Sequence, residues 1–193
     1  MPQARLLRRE VLPFLLAFAA LVGAALLIDT LLHLANIIWL GRYLGILGTL
    51  LIIGSFGYSL RKRNLVRTGQ PVQLLRLHER MAWAGSLLVL VHAGIHFFGI
   101  LGWLAVGAML VNVGSGLVGK FLLARARKRL EDARQRMRDQ GLSAAELADR
   151  THWDTLTFDA VKQWRVIHFP ITLAFGVLAV AHIIAVCLFW SWK

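Results

Sequence analysis

The stretches HERMAWAGSLLVLVH (residues 78–92) and HFPITLAFGVLAVAH (residues 168–182) each begin and end on histidine, 14 residues apart. Along a helix, 14 residues rise about 21 Å and fall about 40° short of four full turns. Both histidines of a stretch therefore share one helical face, one toward each side of a membrane. Two such helices side by side present two stacked pairs of imidazoles, His78 with His168 and His92 with His182. Imidazole pairs at two depths are a ligand set for two haem irons held across a bilayer.

The charges around these stretches are segregated. Between Glu10 and Arg42 the one charged residue is Asp29, and there is none in 43–60, 81–119 or 166–192. A membrane-spanning helix takes about 20 apolar residues. The run 81–119 is long enough for two, with a break around Phe98-Gly99-Ile100-Leu101-Gly102. Five spans follow, at 11–32, 43–60, 81–99, 103–123 and 166–190. The expected fold is an all-α membrane protein, one domain over residues 1–193. It is a five-helix transmembrane bundle with two haems b stacked between the parallel third and fifth helices. Arg8-Arg9 before an Ala-rich run also suits a cleaved signal peptide, but the apolar run, at about 18 residues, exceeds the usual signal core.

The net charge of +12 invites a nucleic-acid reading, but its distribution does not support one. With five spans, one side receives the N-terminal tail, the 61–80 loop and the 120–165 loop, holding 3, 6 and 11 Lys/Arg. The other side receives Arg42 and Lys193. The positive-inside rule places the rich side in the cytoplasm, so the N-terminus is expected inside and the C-terminus outside, in the periplasm if the membrane is a bacterial inner membrane. The basic loops also attract anionic lipid heads. Residues 124–162 form the one substantial extramembrane segment and read as helical, broken at Gly141 and restarted by a capping box at Ser143 and Glu146. They suit an interfacial linker with aromatic anchors, or a docking platform for a partner.

The single cysteine, Cys187, excludes an internal disulfide, a four-cysteine iron–sulfur cluster and the Cys-x-x-Cys-His attachment of a c-type haem. Haem must then be bound non-covalently, with His78 and His168 on the inner iron and His92 and His182 on the outer. Gly85 and Gly176 lie near the midpoints of the two intervals, where a missing side chain makes room for flat rings. His96, one turn beyond His92, is an alternative outer ligand or a partner for a propionate or quinone. Arg76, Arg80, Lys162 and Arg165 are placed to pair with inner propionates. Glycines 41, 45 and 48, and 114 and 116, are read at least as readily as ordinary small-residue helix packing. His33 and His152 read as interfacial residues.

Two helices carrying His-x13-His resemble the membrane dihaem b-type cytochromes, including cytochrome b of the bc complexes and the ferric-reductase-like transmembrane domains. GRYLGILGTLLIIGSFGYSLRKRN, followed by LLRLHERMAWAGSLLVLVHAGIHF, resembles the second and third spans of the latter group, and QWRVIHFPITLAFGVLAVAHII its second haem helix. The likeness covers about residues 40–190. It implies haem b at the four histidines and electron transfer across the membrane. The 193 residues hold no Gly-rich dinucleotide fingerprint and no flavin or nicotinamide domain, so electrons are expected from a separate protein or from quinol. The expected role is the electron-transfer subunit of an oxidoreductase complex, passing electrons between the quinone pool and a partner redox protein. A self-sufficient ferric-type reductase and a histidine-relay proton or ion transporter are the alternatives.

Overall fold

Absence of charge over long apolar runs dictates helices, because a backbone in lipid must satisfy its own hydrogen bonds. The computed structural model describes residues 11–62, 69–95, 99–123 and 152–189, with 128, 131–132, 135–136 and 139 between them. The described residues are helical and include no strand. The elements are α1 (Leu12–Leu34), α2 (Leu40–Ser55), the short α3 (Gly57–Lys62), α4 (Pro71–Ile95), α5 (Ile100–Leu117) with a π turn at Val118–Leu123, and α6 (His152–Phe189).

Each boundary has a local cause. Pro13 lies in the first turn of α1, where its missing N–H costs no helical bond. The helix closes on Asn36, at φ +58°. The Ile37 N–H donates to the Leu32 carbonyl at 3.0 Å, and Asn36 N–H to His33 at 3.1 Å. This is a Schellman closure with Asn in the left-handed position usually held by glycine. Gly99, at φ +92°, turns the chain between α4 and α5, inside the break expected from the sequence.

Four helices are long and apolar enough to cross a membrane: Leu12–Leu34, Leu40–Arg61, Ile100–Phe121 and Val166–Phe189. The expected third span is the exception. Its helix, α4, begins ten residues earlier than 81, at Pro71, and so takes in Arg76, His78, Glu79 and Arg80 along with His92. Polar side chains at both ends dilute its apolar character. It is nonetheless central to the bundle, with Val91 fully buried among Ala25, Leu32, Leu87 and Ile95.

The packing falls into two pairs. α4 lies along α2 and is flanked by α1, while α6 lies along α5. Only seven apolar side chains are buried among the described residues, whereas Leu34, Ile100, Leu188 and Phe189 are more than two-thirds exposed. That inversion suits a molecule whose solvent is hydrocarbon. α6 is one continuous helix of 38 residues, roughly 57 Å long. Its backbone therefore joins the aromatic stretch after His152 to the fifth span without a break. Gly141, Ser143 and Glu146 lie outside the described residues.

Candidate functional site

The two histidine helices are not packed directly on each other; each leans on its own partner, and their histidines meet between the pairs. The rings of His92 and His182 stand 6.5 Å apart, centroid to centroid, at 65° to one another. His78 and His168 are close enough for the charge of one to act on the other. Two proximities, each between residues at the same depth, mean that α4 and α6 run parallel.

The second nitrogen of each ring shows how the imidazoles are held. His92 Nδ1 donates to the Gly41 carbonyl at 2.9 Å, and His78 Nδ1 donates to the Ser55 carbonyl at 2.9 Å. A carbonyl only accepts, so Nδ1 carries a hydrogen in both rings, and in the neutral rings Nε2 is the free acceptor. The break between α2 and α3 follows Ser55 directly, at the helix end where carbonyls lack helical partners. His168 Nδ1 is hydrogen-bonded to Ser115 Oγ at 3.0 Å, and its ring stacks on Trp164 at 5.1 Å and 18°. The Trp164 indole in turn donates to the Ser115 carbonyl at 2.9 Å. Tyr58 lies 6.0 Å from His78, ring to ring.

Small residues make this seating possible. A Cβ on Gly45 would come within 2.7 Å of the His92 ring, and one on Gly119 would run into the Trp164 indole. Gly102 faces His182, with a Cβ position 3.7 Å from its ring. Gly85 differs from its expected place between the rings. Its Cβ position is 2.8 Å from the Gly48 carbonyl, so it serves the close crossing of α2 and α4. The side of a helix facing its neighbour was not deducible from the midpoint of an interval. Gly176, by contrast, faces open space.

The remaining candidates fall elsewhere. Arg76 and Arg80 are exposed on the first turns of α4. Between them Glu79 pairs with Lys120 of the π turn at 2.7 Å. His96 and the side chains of Lys162 and Arg165 lie outside the described residues. Ser55, Gly41, Ser115, Trp164 and Gly119 carry no metal-binding motif, so their part in holding the rings has no signature in the sequence.

The donor set can be tested against the group it would hold. No cluster of three or more His, Cys, Asp or Glu that could hold a bare metal ion occurs among the described residues. Paired neutral imidazoles suit an iron whose other positions belong to a macrocycle. The His92 and His182 rings, 6.5 Å apart with His92 Nδ1 already engaged by a carbonyl, fit a haem that would be held between them. Comparison with family models, curated proteins and solved structures yields no match for this chain.

Proposed function

We propose that the chain is a membrane-integral dihaem cytochrome b subunit that passes electrons between the quinone pool and a partner redox protein. One observation carries the reading. The His92 and His182 imidazoles face each other, His78 and His168 lie one 14-residue interval away on the same two helices, and three of the four have Nδ1 engaged by a backbone carbonyl or a hydroxyl. Metal-ligating histidine characteristically donates its other N–H in this way, which fixes tautomer and ring orientation. His78 and His168 would hold one haem b, and His92 and His182 the other.

When bound, the haems supply one-electron carriers whose potential follows axial ligation, hydrogen bonding and burial. The chain's own residues set those terms. Gly41 and Ser55 carbonyls orient their rings and raise the basicity of Nε2. Ser115 and Trp164 clamp His168 from edge and face. The apolar flanks of α5 and α6 exclude water. Arg76 and Arg80 stand where propionates at the charged end of the bundle would need cations. With the Lys/Arg-rich loops in the cytoplasm, the His78–His168 level is the inner one.

The test is a pyridine haemochrome assay on the purified full chain. Two b-type haems per chain are expected, both low-spin. A single haem, or none after haem-replete expression, overturns the reading. The histidine-relay transporter is the second reading, favoured by the intramembrane Asp29 beside His33, and the absence of haem would select it. Purification of the native complex separates a subunit with a partner from a self-sufficient ferric-type reductase.

A further inference from the structure

Asp29 is the one acidic residue within the apolar runs. It lies against α4, where a Cβ on Gly94 would sit 3.1 Å from its carboxylate. Its Oδ1 is buried and has no hydrogen-bond donor. A carboxylate oxygen withdrawn from water without a donor is costly, and ionisable groups at such depth are retained for function more than for packing. His33 follows one turn later. Its Nδ1 donates to the Asp29 main-chain carbonyl at 2.9 Å and lies 3.5 Å from Oδ1. Nδ1 therefore carries a hydrogen, and in the neutral ring Nε2 is an acceptor.

Two neighbouring side chains thus offer acceptors, and what fits them is a donor. The Asp29 side chain is 22% exposed and that of His33 46%. Gly94 is exposed and puts no side chain in the way. The surrounding surface of α1 is apolar, with Leu26, Leu27, Leu31 and Leu34 all more than half exposed. That apolar face gives a lipid-soluble donor a route to the site. Gly94 is two residues from His92, about 3 Å along the helix axis, so the site lies at the depth of the His92–His182 pair. Among the described residues, the other titratable groups at this level are His92 on α4 and Arg42 at the same end of α2. The described part of α5 contributes none.

We propose that Asp29 and His33 form a site for the headgroup of a lipid-soluble quinol and accept its protons, an inference that rests on the electron-transfer reading. Oxidation of the quinol to quinone breaks two O–H bonds. One proton forms O–H on the Asp29 carboxylate and the other N–H on His33 Nε2. The two electrons would be taken up by the two ferric haems that His78 with His168 and His92 with His182 would hold.

The test uses the full chain in lipid nanodiscs with two probes, an azido-quinone photolabel and a decyl-chain quinol. Label is expected on peptides covering the C-terminal turns of α1 and the Gly94 turn of α4, whether or not haem is loaded. Asp29→Asn and His33→Gln should each cut labelling, and slow haem reduction by the quinol, roughly tenfold, the factor carried by one hydrogen bond to a charged group. Haem content and reduction by dithionite should stay at wild-type levels. Labelling that maps elsewhere, or that neither substitution lowers, overturns the site. Asp29-dependent labelling of a chain that holds no haem upholds the site and sinks the electron-transfer reading. A haem-loaded chain that takes no label does the reverse.

Discussion

Three of the four paired imidazoles have Nδ1 occupied, each by a group distant in the chain: 51 residues for His92 and Gly41, 23 for His78 and Ser55, and 53 for His168 and Ser115. The equal 14-residue intervals make the histidines legible in sequence, since helical periodicity is local. Their partners are not, because a backbone carbonyl carries no residue signature and its position depends on how two helices cross. Asp29 shows the same limit: it is conspicuous as a lone charge, but its seat against Gly94 is a tertiary fact. Two predictions belong at this scale. His92→Ala and His182→Ala should abolish the same haem, and His78→Ala and His168→Ala the other, so each variant drops from two haems to one by pyridine haemochrome. A match between His78→Ala and His182→Ala would mean that the pairing is not by depth. Ser115→Ala should leave the ligands in place but weaken haem retention at the His78–His168 level about 10- to 100-fold, the usual scale for an outer-shell partner. Haem-transfer kinetics to an apo-globin acceptor measures it, and a wild-type rate would show that the Ser115 bond contributes nothing.

Helices respond to substitution according to what they face, and the glycines of this bundle separate three cases. Gly45→Ala drives a methyl to 2.7 Å from the His92 ring, so it should displace that ligand and lose its haem while sparing the other. Gly48→Ala meets the Gly85 carbonyl at 2.9 Å and should push α2 from α4. That costs about 1–3 kcal/mol, as overpacking does, and lowers thermal stability without selecting one haem. Gly114→Ala meets nothing within 4 Å and should be neutral in both measurements. Equal losses of haem and stability for Gly45→Ala and Gly48→Ala would remove the distinction between a seat for a ring and a seat for a backbone. The helices themselves are legible as charge-free runs, and the break near Gly99 as a glycine cluster. What composition hides is the extent of α4. Its first turns carry charge, so the apolar run starts later than the helix does. The stretch after His152 reads as helical and leads toward the fifth span, but that it joins the span as one helix without a break is a feature of the fold.

For the whole molecule, orientation follows from the distribution of charge. Loops on one side of the five helices hold 20 Lys/Arg and those on the other hold Arg42 and Lys193. Parallel α4 and α6, as pairing of His92 with His182 and of His78 with His168 implies, require an even number of crossings between their starts, and α4 and α5 would supply two. On this reading α4 is a fifth crossing beside the four helices that are long and apolar enough to span. Four crossings instead of five would make the histidine helices antiparallel and bring His78 to the level of His182. Short-loop charge sets orientation, so the N-terminus should be cytoplasmic and the residues after α6 should be outside. Alkaline phosphatase, active only outside, should work when fused after Lys193, and a cytoplasmic fluorescent reporter there should stay dark. The same phosphatase fused in the 61–80 loop should be inactive. Reversal of both fusions would invert the order of the two histidine levels and place Asp29 and His33 toward the cytoplasm. Activity at both positions would break the parallel arrangement itself.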